Sequence, residues 1–437
     1  MKTDEINALV TPTAVHKSVY TDQAIFDLEI ERIFGKTWLY VAHESQLRQA
    51  GDFVRARIGL QDFIVTRDES GEIHVVQNRC THRGATLCHE NQGNTKRFVC
   101  GYHQWMFDLS GTLRGVPHKQ SYPESFNLNA QELALKKAPR VSTYRGFVFA
   151  SLSATGPDLV SFLGPMCGAI DNLVDRSPVG EIELAPTAFR LQYRGNWKMH
   201  HENANDTIHP GVVHNSSVQT ARQHNAQNTE FDAGQTREML QGNGFSKNEW
   251  EGIELAALPG GHSYMDGIYR NGLLARKEVD PVRDRYEAAM IQAYGEERTR
   301  AILDLDRFNN LIYPNININA QYHQLRVVHP VAPDLTLVTS YCFKLVGAPD
   351  AIFHRAVRFL TNLGSPASMI YGDDATIFER CNQGLRNADN DVWINMQRGM
   401  DYEKPLPHGG TIDAATEAPI RSQFQAWLDY MTTEEQS

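Results

Sequence analysis

Apolar residues recur at helical spacing over positions 21–34, with Phe26, Ile30 and Ile33 on one side and Gly35 placed to stop the helix. From Trp38 the texture changes to short runs rich in β-branched and aromatic residues, at 53–58, 63–66, 73–77, 97–100, 105–107 and 146–151, separated by Gly, Asp and Ser. That rhythm predicts a small antiparallel sandwich or barrel, because the strands of βαβ units would alternate with helical stretches. After Thr155 the elements lengthen and mix. Positions 159–173, 284–307 and 418–433 read as helices, the last tolerating Pro419 in its first turn. Positions 311–316, 324–329 and 335–343 read as strands. The stretch 219–258 is polar, rich in Asn, Gln and Gly, and without period, so it reads as a mobile lid or an insertion. The fold class expected is α+β with a boundary near 155: an all-β domain over 38–155, an α+β domain over 156–437, and a helical segment at 1–37.

Composition fits this division. A chain of 437 residues is longer than one core usually organises, and 41% apolar with 22% charged residues is ordinary for a globular enzyme. A formal net charge of −10 and the lack of a basic block argue against a nucleic-acid partner. Positions 1–10 are polar with no cationic run leading into an apolar one, and nowhere do 18 apolar residues occur in succession. The expectation is therefore a cytoplasmic chain with no signal peptide and no membrane contact. The six cysteines (80, 88, 100, 167, 342 and 381) are too sparse for a disulfide framework, and clustered cysteines in such a chain point to metal.

Two of them carry a pattern. Cys80-Thr-His82 and Cys100-Gly-Tyr-His103 are separated by 17 residues, enough for a hairpin that brings two tight loops face to face. Two thiolates and two imidazoles are the ligand set of a Rieske [2Fe–2S] centre, whose histidines raise the potential above that of an all-cysteine cluster. Structural zinc also takes Cys₂His₂, but it favours a cysteine pair followed by a separate histidine pair. Here each cysteine travels with its own histidine. Gly84 and Gly101 supply backbone freedom for such loops. Cys88 reads as a small buried hydrophobe and His118 as solvent-facing.

Further along, Asp206, His209 and His214 stand in Asn205-Asp-Thr-Ile-His-Pro-Gly-Val-Val-His214. Asp206 and His209 would share a helical face. Pro210 is expected to break the helix at His209, freeing His214 to return to the same metal. Two histidines and a carboxylate on one face of an iron leave positions open for dioxygen and substrate. The carboxylate is expected from Asp373-Asp374. The competing reading makes these acids a cap for the helix that follows. His200 and His201 match no ligand spacing.

Taken together, Cys80-x-His82-x₁₇-Cys100-x₂-His103, Asn196-Trp197-Lys198 with Glu202-Asn203, Asp206-x₂-His209-x₄-His214 and the late Asp373-Asp374 resemble the α subunits of Rieske aromatic-ring-hydroxylating oxygenases over nearly the whole length. The resemblance implies a Rieske domain followed by a catalytic domain with a curved antiparallel sheet flanked by helices. It implies a mononuclear Fe(II) on His209, His214 and Asp374, with O₂ as co-substrate. NAD(P)H would act through a reductase, with or without a ferredoxin. It also implies an α-subunit trimer, with or without a small β subunit as α₃β₃, in which Asp206 bonds His209 in its own chain and His103 in the next. The implied outcome is cis-dihydroxylation of an aromatic acid or hydrocarbon, with monohydroxylation or oxidative demethylation as the runner-up. Ile208 and Ala204 depart from a common aromatic and a common Phe, which weakens inference from hydrocarbon dioxygenases. Gly261-His-Ser263 is similar to a segment of aromatic-acid oxygenases, and Arg222, Arg237 and Arg270 are candidate carboxylate partners. Arg83, Lys96, Arg97, Arg114 and Lys119 are candidates for docking an acidic redox partner. A reading from another class is a Rieske electron carrier or sensor, which about 280 residues after the cluster domain and the intact Asp206/His209/His214 spacing oppose.

Overall fold

In the computed structural model the described residues are 2–227, 252–267, 279–366, 368–387, 389, 391–407 and 409–433. The chain forms two compact units, one of Ile30–Phe162 and the other of Met1–Glu29 with Leu163–Ser437.

The first unit is built of short antiparallel strands. Strands β1 (Leu39–His43), β2 (Asp52–Ile58), β3 (Gln61–Arg67), β4 (Ile73–Gln77), β5 (Gln92–Asn94), β6 (Phe98–Val99), β7 (Met106–Phe107), β8 (Leu113–Gly115), β9 (Arg140–Tyr144) and β10 (Phe147–Ser151) make three sheets. Their orders are β4-β3-β2-β5, β8-β7-β6 and β9-β10-β1, and each sheet stays open rather than closing into a barrel. Gly59 (φ 56°) lets β2 turn into β3 within two residues, as the Ile58–Gln61 register requires. Phe53, Ile64, Val76, Phe98, Trp105, Phe107 and Leu113 bury one core, and Cys80 and Cys100 lie in it.

The second unit centres on a nine-stranded antiparallel sheet. Its strands are β11 (Ile182–Leu184), β12 (Phe189–Tyr193), β13 (Glu254–Ala257), β14 (Ser263–Asp266), β15 (Arg307–Ile312), β16 (Ile316–Asn319), β17 (Gln324–Ala332), β18 (Leu335–Leu345) and β19 (Thr411–Ile412). The order is β11-β18-β17-β16-β15-β14-β13-β19, with β12 also paired to β18. Helices α1 (Trp197–Asn205), α2 (Pro210–Val213), α3 (Asn215–Gln227), α4 (Asp350–Gly364), α5 (Met369–Leu385) and α6 (Ala418–Thr432) complete what the site needs.

Two sequence expectations change here. The strand expected at 311–316 is a hairpin, because Pro314 has no N–H for a ladder; Ile312 pairs back onto Ile316. The helix expected at 284–307 is two helices, Pro281–Tyr294 and Glu296–Leu303, parted at Gly295 (φ 77°). Most of the 219–258 stretch lies outside the described residues.

One contact organises the second unit. Glu29 is fully buried and accepts from Trp197 Nε1 (2.8 Å), Trp427 Nε1 (2.7 Å) and Lys198 Nζ (2.5 Å), while Lys198 is itself fully buried. A carboxylate this deep is stable only when its lone pairs and charge are all answered. Glu29 thereby ties the start of α1, and with it the site below, to α6.

Candidate metal centres

In the first unit the two Cys-His loops are built alike. Cys80 N donates to Ala85 O (2.8 Å) and Gly84 N to Cys80 O (2.9 Å). Cys100 N donates to Trp105 O (2.8 Å) and Gln104 N to Cys100 O (2.9 Å). Gly84 sits at φ 80°, as expected of a loop glycine. Gly101 does not: a Cβ there meets nothing, and Gln104 (φ 54°) takes the left-handed turn instead. Both thiols are buried and adjacent, and burial, reinforced by Cys100, pushes the Cys80 thiol up. The His82 and His103 rings lie 4.6 Å apart at the partly exposed end, and His82 stacks flat on Trp105 at 4.7 Å. His82 Nδ1 is buried with no hydrogen-bond partner among the described residues. Burial, then His103 and Arg83, push that imidazole below the usual histidine range, which keeps its lone pair available. Two adjacent thiols backed by two imidazoles fit a [2Fe–2S] cluster. Cys88 is buried in the core of the first unit, and its Sγ donates to Glu90 O at 3.5 Å.

In the second unit α1 begins at Asn196, whose side chain accepts from Lys198 N (3.2 Å) and donates to Tyr20 O and Pro333 O (both 3.0 Å). The helix ends at Asn205, so Asp206 and His209 do not share a helical face. Asp206 is extended (φ −100°, ψ 123°), and its carboxylate accepts from Ile208 N (3.1 Å) and His209 N (3.3 Å). The side chain offers the backbone an alternative to the next helical turn and closes a tight loop. The break therefore falls three residues before the place that Pro210 suggested. His209 is helical (φ −58°, ψ −36°), and Pro210 opens α2, where a missing N–H costs nothing. His214 caps the other end of α2, leaving the two rings 5.5 Å apart.

Asp374 reaches them from α5. Its Oδ1 lies 3.2 Å from His214 Nε2 and 3.6 Å from His209 Nε2. Asp373 Oδ2 instead lies 3.7 Å from His214 Nδ1, on another edge of that ring, so Asp374 is the one beside Nε2 of both histidines. Neither acid caps α5, because Ser368 does so by accepting from Tyr371 N (3.1 Å). Asn203 Nδ2 lies 2.9 Å from His209 Nε2 and 3.0 Å from Asp374 Oδ1. One donor atom from each of His209, His214 and Asp374 falls within 4.8 Å of the others. Two neutral-capable imidazoles and one carboxylate at this spacing fit a mononuclear iron.

The chain matches the Rieske [2Fe-2S] domain family over residues 37–139 and the ring hydroxylating alpha subunit (catalytic domain) family over 183–434. It is 33% identical to the 2-halobenzoate 1,2-dioxygenase large subunit of Burkholderia cepacia, covering 88% of this chain and 80% of that one.

The chain is a ring-hydroxylating oxygenase α subunit.

The anthranilate 1,2-dioxygenase large subunit of Acinetobacter baylyi is 32% identical, again over 88% of this chain and 80% of that one. A naphthalene 1,2-dioxygenase from Rhodococcus sp. superimposes with a TM-score of 0.80 over 97% of this chain and 95% of that chain, at 24% identity. As a member of this family the oxygenase carries a Rieske cluster and a mononuclear iron, uses O₂ and works with separate redox partners. The catalytic-domain match sets aside the electron-carrier reading. Among the described residues no helix is long and apolar enough to cross a membrane.

Some residues of this oxygenase were not legible in the sequence. Arg398 Nη2 donates to Asp206 Oδ1 at 2.6 Å, from a segment whose backbone is fixed by Glu417 (Arg398 N to Oε2, 3.0 Å; Glu417 N to Arg398 O, 3.0 Å). Asp206 Oδ2 stands 3.4 Å from His209 Nδ1. Burial opposes ionisation of Asp206, yet His209, Arg398 and the Ile208 amide hold its carboxyl well below the usual range. No short-range pattern signals Arg398, 192 residues from its partner. His201 Nε2 bonds Pro314 O (2.7 Å) and His200 Nδ1 lies 3.3 Å from the Tyr371 hydroxyl, so neither joins the triad. His262 Nδ1 accepts from Tyr313 N (3.0 Å), a structural use. Arg222 lies exposed on α3, while Arg237 and Arg270 lie outside the described residues. Arg83, Lys96, Arg97, Arg114 and Lys119 are all exposed, with Arg114 paired to Asp108 (2.6 Å).

Proposed function

We propose that this chain is the terminal component of a system that cis-dihydroxylates an aromatic ring, with iron held by His209, His214 and Asp374 and the cluster by Cys80, His82, Cys100 and His103. On this reading 38–155 is the electron-accepting domain, and 156–437 with the N-terminal segment is the oxygenating one. The observation that carries it is the convergence of one donor from each of His209, His214 and Asp374, drawn from a loop and a distant helix. The two relatives above, named for halobenzoate and anthranilate, support a substituted aromatic acid ahead of a hydrocarbon.

Loaded, the cluster supplies single electrons, and the iron supplies a place where dioxygen and substrate meet. The chain's own residues do the rest. His209 and His214 would each offer the iron a ring nitrogen, and Asp374 a carboxylate oxygen. Asp206 Oδ2 stands 3.4 Å from Nδ1 on the far side of His209, so its charge favours a proton on that nitrogen and would orient the ring. In a trimer of these chains the same carboxylate would receive His103 of the neighbouring subunit, making Asp206 the bridge between centres.

Asp374→Ala is expected to lower iron from about three to about two per chain while the cluster's visible spectrum persists. Full iron in that variant would overturn the ligand assignment. A single turnover of the reduced enzyme under ¹⁸O₂ should give a diol carrying both labelled atoms. A singly labelled phenol or a demethylated product would move the reading to a monooxygenase.

A further inference from the structure

The sheet face beneath α1 carries a row of residues that the mechanism above does not use. Strand register sets Ser263, Leu311, Asn317, Arg326 and Ser340 opposite one another across β14, β15, β16, β17 and β18. Directly opposed residues share one face of a sheet. Ser263 Oγ donates to Asn205 Oδ1 (2.9 Å), so this is the face that α1 covers.

Two members of that row are polar and unanswered. Asn317 is 1% exposed, and neither its Nδ2 nor its Oδ1 has a hydrogen-bond partner among the described residues. Arg326 is half-buried, its Nε is fully buried without a partner, and no carboxylate pairs with it among the described residues. Its guanidinium lies 6.0 Å from the Tyr371 ring, and Tyr371 in turn meets His200 at 3.3 Å. A buried guanidinium ordinarily has an acid beside it.

The position of this pair relative to the triad follows from helix geometry. Tyr371 and Asp374 are three residues apart on α5, and His200 and Asn203 are three apart on α1. Each pair therefore shares a face and spans about 4.5 Å along its axis. Asp374 and Asn203 belong to the triad's level, whereas Tyr371, His200 and Arg326 lie one turn away. An anionic group bonded directly to an aromatic ring and held beside Arg326 would leave the adjoining ring carbons about one helical turn away, toward the triad.

We propose that Arg326 and Asn317 form the receptor for a carboxylate attached directly to the substrate's aromatic ring, with Arg326 as the charge partner and Asn317 Nδ2 as a second donor. This rests on the triad reading above and deepens it. The substrate class is then an aryl carboxylate, and these are specificity residues rather than catalytic ones. Arg326 holds a planar anion by paired N–H groups, a geometry that fixes the ring's direction as well as its charge.

The test is calorimetric binding to the holoenzyme, using benzoate, 2-chlorobenzoate and 2-aminobenzoate against the corresponding benzamides. The unmutated enzyme should bind each acid more tightly than its amide by roughly 10- to 150-fold, the range that a charged hydrogen bond is worth. Arg326→Gln should collapse that acid-to-amide ratio towards one, Arg326→Lys should keep part of it, and Asn317→Ala should lower it by a smaller factor. Equal binding of acids and amides by the unmutated enzyme would overturn the proposal even if the Arg326 variants failed to fold. So would an unchanged ratio in Arg326→Gln with iron and cluster intact. Loss of iron on Asp374→Ala is measured separately, so failure of the receptor and failure of the iron site are distinguishable.

Discussion

Asp206→Asn is expected to keep both metal centres and to cut turnover roughly 100-fold, the upper end of what the partner of a metal-bound imidazole is worth. Asparagine keeps the size of the side chain and an oxygen that can still accept from Ile208 N. It loses the charge that faces both the Arg398 guanidinium (2.6 Å) and His209 Nδ1 (3.4 Å). Whichever way the amide turns, an N–H₂ group points at a donor, so either the Arg398 contact or the support of the His209 ring is spoiled. The proposed ligands His209, His214 and Asp374 are untouched, so iron should remain near three per chain, and the cluster spectrum should not move. The comparison to make is single-turnover yield against metal content in the same preparation. Wild-type yield in a fully loaded variant would remove Asp206 from the reaction. Arg398→Met is the natural companion: it should lower turnover in the same direction and by less, since the Ile208 and His209 amides still hold the carboxylate.

The second large effect concerns stability. Glu29→Ala is expected to destabilise the catalytic unit by about 3–5 kcal/mol, the cost of breaking one side of a buried ion pair. Lys198 would be left as a fully buried ammonium with no counter-charge, and the Trp197 and Trp427 indoles would lose their acceptor. Burial already pulls the Lys198 ammonium below the ordinary lysine range, with Glu29 acting against that pull. Urea denaturation followed by tryptophan fluorescence reads this directly, because two of the affected groups are the reporters. A midpoint within about 0.5 kcal/mol of wild type, the scatter of neutral surface changes, would show that the hub is not what anchors α1 to α6.

Glu202 lies close to this hub. Tyr20 donates to it at 3.0 Å, and burial pushes its carboxyl up to about 7 although Tyr20 and Lys198 work the other way. The Glu202-Asn203 pair thus divides its work. Glu202 faces the protein interior, and Asn203 faces the triad.

Much of the candidate site was legible along the chain, because residues that could hold one metal are constrained by local geometry. A cysteine and its histidine must leave one tight loop, so Cys80/His82 and Cys100/His103 appear as close pairs. Asp206, His209 and His214 likewise fall within nine residues because a short loop and one turn of helix set their spacing. The strands of the first unit were legible for the same reason, since alternation and turn residues are local signals. The sequence misplaced the helix end at Pro210 and the strand at Pro314. A proline marks a boundary without saying on which side it falls, and a neighbouring side chain such as Asp206 can move it.

Tertiary structure alone decided the rest. Asp373 and Asp374 are adjacent and chemically identical, and only the rotation of α5 about its axis sends one of them to Nε2 of both histidines and the other to the back of a ring. Arg398 meets Asp206 across 192 positions, and Arg326 meets Asn317 only because two strands pair in one register. Such contacts follow from how elements pack, and packing is settled by the burial of the whole core rather than by any short stretch of chain.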